Sequence, residues 1–225
     1  MDAMSETEFS RRLRMPRSAA LAGVLFAVLF AVSLALVRAT IPADLFAEPD
    51  WVETGAERLR WAMTLVPLAG IAFLWFLGVM RDILGDYEDR FFSSVFWGSG
   101  LIFLAMVFVS TAIAGGLVTG AATGSDQAYD IETIRFGRAM MLQISNVYAL
   151  RMAGVLMMSL GAIWLRTGLM PRWLVVVTYL LALTLLLVTD LSLWTALLFP
   201  SWVLLVSVVV LVGSFRPAGA RPPPR

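Results

Sequence analysis

Six long, continuously apolar stretches constrain this chain more than any other sequence feature. A helix needs about 20 apolar residues to cross a hydrocarbon core of roughly 30 Å, whereas a barrel strand needs about ten residues of alternating polarity. The stretches do not alternate, so the sequence predicts an all-α integral membrane bundle of six transmembrane helices. The predicted spans cover about 19–37, 61–80, 92–118, 140–165, 173–189 and 195–213.

Composition supports the membrane class and removes several kinds of chemistry. Hydrophobic residues make up 60% of the 225 residues and charged residues 15%, against about 45–50% and about 25% in soluble domains. The chain has no cysteine and no histidine, and all 17 of its basic residues are arginine. These absences exclude disulfides, thiolate or imidazole metal sites, and catalytic triads that need histidine. We therefore expect no metal centre, no cofactor, no catalytic residues and no enzymatic activity.

The arginines predict the orientation of the chain in the membrane. Under the positive-inside rule, a cytoplasmic N-terminus places eleven arginines inside and five outside, with Arg151 left within the bilayer. We expect a basic cytoplasmic tail over 1–18, the six-helix domain over 19–213, and a disordered cytoplasmic tail rich in proline and arginine over 214–225. The first span is too long for a signal-peptide core and lacks a small-residue cleavage site, so it is predicted to remain uncleaved.

Arginine without lysine is typical of a GC-rich genome, because arginine codons are GC-rich and lysine codons are not. This usage predicts a bacterial inner (plasma) membrane as the location. The expected partners are membrane lipids, together with a second copy of the chain or another membrane protein. Nothing in the sequence indicates binding to nucleic acid.

The fourth span is the most polar one and carries the candidate site. Its polar residues include Gln143, Asn146, Tyr148 and Arg151. On a helical wheel at 100° per residue, Gln143 shares a face with two glycines, Gly154 and Gly161. A polar stripe of this kind belongs against protein or water and not against lipid.

Arg151 needs a partner, since an unpaired charge within a bilayer costs about 2.5–3.5 kcal/mol even on insertion scales. The short connection around Leu169 predicts an antiparallel hairpin of the fourth and fifth spans, which brings Asp190 to nearly the same height as Arg151. We expect an Arg151–Asp190 ion pair. Three roles remain open: a pair that only fixes helix register, a site for an anionic ligand or an ion pathway, and a lipid-headgroup contact by Arg151.

Small residues recur every four positions in the first span, among them Gly23, Ala27 and Ala31. This spacing lets two helix backbones approach closely. We interpret the ridge as packing within the bundle, with self-association of two copies as the alternative.

An acidic loop follows the second span on the predicted cytoplasmic side. Its carboxylates are Asp82, Asp86, Glu88 and Asp89. Their spacing does not match a calcium-binding loop. A solvated connector is the first interpretation, and partner docking or loose binding of a divalent cation are the alternatives.

Three functions are consistent with the sequence. The first is a small transporter or permease-like protein with a polar site around Arg151. The second is a non-catalytic accessory, sensor or assembly subunit. It would use the first-span ridge and the acidic external loop over 38–60 as contact surfaces. The third is a membrane enzyme that acts on lipids, for which the acidic loop is the only cluster of metal-binding groups.

Overall fold

The computed structural model describes residues 3–41, 54–85, 90–122, 130–187 and 193–215, and these residues form helices and short turns without any strand. The predicted all-helical class is confirmed for this part of the chain. The helices are α1 (Ala3–Thr40), α2 (Ala56–Gly85), α3 (Arg90–Ala122), α4 (Ile131–Leu142), a π-helical segment (Gln143–Ala149), α5 (Leu150–Thr167), α6 (Arg172–Leu187) and α7 (Leu193–Phe215).

Five helical stretches are long and apolar enough to cross a membrane. They cover Ala20–Thr40, Ala56–Asp82, Phe91–Gly120, Ile131–Thr167 and Thr195–Val212. The fourth is a continuous helix of 37 residues, which begins nine residues before the predicted fourth span. Helix α6 has 16 residues, or about 24 Å at 1.5 Å per residue, which is shorter than the roughly 30 Å hydrocarbon core. The structure therefore supports the membrane class, with five candidate spans and one shorter apolar helix.

The helices pack as successive antiparallel neighbours. Helix α1 packs against both α2 and α7, α3 packs against α2 and α5, and α5 packs against α6. The bundle has two ends. The long-loop end is the end where α1 finishes and α2 begins, and the short-loop end is the end where α5 turns into α6.

Helices α5 and α6 form the predicted antiparallel hairpin. Gly168 ends α5 in the left-handed conformation, with φ of 64°, and its N–H donates to Trp164 O at 2.9 Å. This is the common glycine cap of a helix C-terminus. Glycines then let the two helices approach closely. A Cβ on Gly154 would lie 3.1 Å from Ala182 O, and one on Gly161 would lie 3.3 Å from Tyr179 Cε2.

Aromatic side chains fill the centre of the bundle. The aromatic cluster consists of Phe26, Phe30, Phe73, Phe103 and Phe199, with ring centroids 4.6–6.0 Å apart in the contacting pairs. Pairs at these separations gain about 0.5–1.5 kcal/mol beyond the area that they bury. The cluster joins α1, α2, α3 and α7.

The packed core continues from this cluster toward the short-loop end. Trp202 stacks on Phe199 with ring centroids 6.0 Å apart, and its indole N–H donates to Thr178 Oγ1 at 2.9 Å. Both side chains of this hydrogen bond are buried. It ties α6 to α7, two helices that otherwise touch little.

The small-residue ridge of α1 packs inside the bundle. Gly23 and Ala27 are buried and Ala31 is half-buried. A Cβ on Gly23 would overlap Ser207 Oγ of α7 and would lie 3.0 Å from Phe76 Cδ2 of α2. Gly23 thus lets three helices meet, which supports the first interpretation of the ridge, whereas self-association remains a prediction.

Two arginines stack on aromatic rings at the short-loop end. Arg81 Cζ lies 5.3 Å from the centroid of the Trp97 ring, and Arg166 Cζ lies 4.8 Å from that of Phe92. These cation–π contacts link the ends of α2 and α5 to the start of α3. Of the predicted acidic loop, Asp82 is exposed, and Asp86, Glu88 and Asp89 lie outside the described residues.

Candidate functional site

The helix that contains the fourth predicted span is interrupted by a π-helical segment over Gln143–Ala149. In a π-helix the backbone hydrogen bonds run over five residues, and such segments are rare and frequently found at functional sites. A contact from α3 meets the helix where the change begins. Ser110 Oγ donates to Met141 O at 3.0 Å, so this carbonyl accepts a hydrogen bond from a neighbouring helix.

A cavity of about 80 Å³ lies beside the π-helical segment, in the half of the bundle near the long-loop end. Its walls come from α1, α2, α3 and the helix over Ile131–Thr167 that contains the π-helical segment, and Ala196 of α7 also lines it. A water molecule needs about 10–15 Å³ of such volume. The cavity therefore has room for a few waters or one small solute, and it is smaller than the roughly 300–1,000 Å³ of drug-sized ligand sites.

Three pairs of residues on the helix over Ile131–Thr167 line this cavity. The pairs are Met141–Leu142, Ser145–Asn146 and Ala149–Leu150, which repeat every four residues. Four residues are close to one helical turn, so the three pairs lie on one side of this helix. The π-helical segment contains the middle pair and Ala149.

The cavity has polar walls near the long-loop end. Arg38, in the last turn of α1, lines it and is half-buried. Asn146 and Ser145 line it from the π-helical segment. Among the described lining residues Arg38 is the only charged one, so this part of the wall carries a net positive charge.

Three further hydroxyls in the wall already donate to backbone carbonyls. Ser33 Oγ donates to Ala62 O at 3.2 Å, Ser110 Oγ to Met141 O at 3.0 Å, and Thr111 Oγ1 to Val107 O at 2.8 Å. The first two bonds cross between helices and hold the cavity walls together. Their oxygens retain accepting capacity, but their protons are engaged.

Aromatic rings form the floor of the cavity. Phe30 and Phe103 line it, and their ring centroids are 5.9 Å apart. Both belong to the aromatic cluster, which lies between the cavity and the short-loop end. The cavity is thus bounded by apolar rings below and by polar groups near its rim.

The structure separates the residues that the sequence placed in one site. Asn146 lines the cavity, whereas Gln143 and Tyr148 are exposed and do not line it. Arg151 is half-buried, lies outside the cavity wall, and has no hydrogen-bond or ion-pair partner in the described part of the chain. Asp190 lies outside the described residues, so the ion pair stays a prediction.

The helical wheel fails at this position for a physical reason. It placed Gln143 on one face with Gly154 and Gly161, but Gln143 is exposed while both glycines are buried against α6. A constant 100° per residue does not hold across a π-helical segment. The glycine contacts also set the register of the α5–α6 hairpin, with Gly154 against Ala182 and Gly161 against Tyr179.

Several residues of this wall were not predicted from the sequence. Arg38 follows the predicted first span, and Ser33 and Ser110 lie as single hydroxyls within predicted apolar spans. A signal was present on α1, where residues Phe30, Ser33, Leu34, Val37 and Arg38 follow the spacing of one helix face. Outside the cavity wall, Arg138 precedes the predicted fourth span but lies in α4 and is only 3% exposed.

Comparisons with known proteins give no relative for this chain: no protein family, no curated protein and no solved structure matches it significantly.

Proposed function

We propose that the chain is a multi-pass protein of a bacterial plasma membrane with six spans, and that α6 is the fifth of them in chain order. Four exposed apolar side chains, Val176, Leu180, Leu183 and Leu187, form a stripe along the whole of α6. Their spacing of four, three and four residues is that of one helix face. Such a stripe suits contact with lipid, and the predicted fifth span continues to residue 189.

The proposed orientation places both termini and the short-loop end in the cytoplasm. Support comes from Arg81 and Arg166, which stack on aromatic rings at this end, and from Arg172 at the start of α6. Arginine is enriched on the cytoplasmic side of membrane proteins, and aromatic residues are enriched at both membrane interfaces. The cavity then lies in the external half of the bundle.

We further propose that the protein is a small permease-like carrier and that the cavity is its solute site, seen facing outward. The observation that carries this proposal is a largely apolar cavity with polar groups near the long-loop end, beside a π-helical segment and closed toward the cytoplasm by the aromatic cluster. Non-α backbone and polar side chains at membrane depth are tolerated where they line a cavity. The site is centred on Asn146 and Arg38 in place of Arg151.

The test of this function is access from the cytoplasmic side. A carrier must also open inward, past the aromatic cluster. The chain has no native cysteine, so a single Ser207→Cys variant can report this opening. Ser207 is fully buried in α7, beyond the cluster. We expect a membrane-impermeant maleimide to label it in inside-out vesicles and not in intact cells.

Absence of labelling from both sides would contradict the carrier function. It would favour a non-catalytic accessory or sensor protein with a static cavity, for which the small volume of the cavity is the supporting observation. Ser201→Cys is the matched control. Ser201 is an exposed residue of the same helix, and it checks that the protein is present and reactive after unfolding in detergent.

A further inference from the structure

The chemistry of the cavity wall selects the charge of its ligand. Its available donors are the Arg38 guanidinium, the Asn146 side-chain amide and the Ser145 hydroxyl. Ser145 Oγ has only long contacts, 3.4 Å to Leu142 O and 3.5 Å to Asn146 Oδ1. The other wall hydroxyls have already donated their protons. A wall that offers donors and one cation favours an acceptor that carries negative charge.

The rest of the cavity selects the size and polarity of the ligand. Beyond the donors, the wall is apolar and includes Phe30, Phe103, Val107 and Leu150. A cavity of about 150 Å³ with apolar walls accepts benzene, so about 80 Å³ accepts a group of two or three carbons. The wall thus combines a place for one anionic group with a short apolar pocket below it.

We propose that the cavity binds a short-chain monocarboxylate of two or three carbons, with its carboxylate on Arg38 and its alkyl group against Phe30 and Phe103. The planar guanidinium can pair with both carboxylate oxygens, and Asn146 and Ser145 add neutral donors. This inference rests on the proposed function, because it assigns a solute to the carrier site.

The experiment measures binding of propionate to the full chain in phosphatidylcholine nanodiscs, by saturation-transfer NMR at constant chloride concentration. Propionamide has the same shape without the charge and serves as the ligand control. Arg38→Gln is the test variant. Arg135→Gln is the matched control, because Arg135 is an exposed arginine of α4 outside the cavity wall. Asn146→Ala is a second test variant that leaves Arg38 in place.

We expect propionate to bind the wild type and Arg135→Gln equally, and propionamide to bind far more weakly. Loss of a charge-assisted hydrogen bond predicts about tenfold or weaker binding in Arg38→Gln, and a smaller loss in Asn146→Ala. Unchanged thermal unfolding midpoints establish that both variants are folded. If Arg38→Gln does not fold, a several-fold loss in Asn146→Ala supports the proposal and an unchanged affinity overturns it.

Three results would overturn the proposal that the cavity binds a monocarboxylate: no binding of propionate, equal binding of propionamide, or an unchanged affinity for propionate in folded Arg38→Gln. Displacement of propionate by phosphatidylglycerol added to the nanodiscs would also overturn it and assign Arg38 to a lipid phosphate. The carrier function and the ligand are tested by different results.

Propionate binding without inward labelling of Ser207→Cys would support the monocarboxylate site and contradict the carrier function. Inward labelling without propionate binding would support the carrier function and contradict the monocarboxylate site.

Discussion

The two halves of the bundle are held together by different interactions. Toward the short-loop end the helices meet through large buried side chains such as Phe199 and Trp202 and through close approach at Gly23. Toward the long-loop end they meet through a smaller buried apolar cluster, which includes Leu59 and Met141, and through two serine hydroxyls that donate to the backbone of a neighbouring helix, around a cavity. This comparison indicates that the packed half is the scaffold. The long-loop half contains the cavity and the candidate site.

The largest expected effect is the loss of a ring from the aromatic cluster. Phe199→Ala removes a fully buried side chain that contacts Phe26, Phe73, Phe103 and Trp202. We expect the free energy of unfolding to fall by about 3–5 kcal/mol, measured by denaturant titration in mixed micelles. Trp75→Ala is the control, since Trp75 is 66% exposed. Equal losses of stability in the two variants would contradict the role of the aromatic cluster as the packed scaffold of the bundle.

The second effect concerns close approach of α1 and α7. Gly23→Ala places a Cβ against Ser207 and Phe76, and overpacking of this kind costs about 1–3 kcal/mol. The same substitution at Gly78 meets nothing within 4 Å, so it should be neutral or stabilise the helix by about 0.5–1 kcal/mol. Thermal unfolding of both variants measures the difference. A Gly23→Ala protein as stable as Gly78→Ala would show that the helices do not meet there.

The third effect is of similar size and tests a hydrogen bond of the packed half. Thr178→Val removes the acceptor of the Trp202 indole N–H and leaves this donor buried, which costs about 1–3 kcal/mol. Thr184→Val is the matched control, because Thr184 Oγ1 donates only to Leu180 O of its own helix. Chemical unfolding should show a larger loss for Thr178→Val, and the reverse order would be inconsistent with the structure.

The smallest expected effect tests a hydrogen bond between two helices in the cavity wall. Ser110→Ala removes the hydroxyl that donates to Met141 O across the cavity wall, and one such bond contributes about 1 kcal/mol. Ser159→Ala removes a hydroxyl that bonds within its own helix, to Val155 O, and should change stability less. Hydrogen exchange should rise over Gln143–Ala149 in Ser110→Ala alone. Unchanged exchange there would show that the hydrogen bond from Ser110 does not stabilise the π-helical segment.

Sequence patterns predicted the features that depend on the length of apolar stretches and on the length of the loops between them. The membrane class, five of the spans and the α5–α6 hairpin follow from apolar length and from the short turn at Gly168. The cavity could not be predicted in the same way. A wheel with a fixed angle per residue misplaces Gln143, and an arginine in the last turn of a span, such as Arg38, looks the same whether it meets water or a binding site.

The central claim is that the wall around Ser145 is open to water on the external side while the packed half is not. Its most direct test is the rate at which an impermeant maleimide labels single-cysteine variants in intact cells. Ser145→Cys lies in the cavity wall, and Ser99→Cys, a buried serine of α3 outside that wall, is the matched control. We predict rapid labelling of Ser145→Cys and none of Ser99→Cys. Protection of Ser145→Cys, or equal labelling of both variants, would contradict the account.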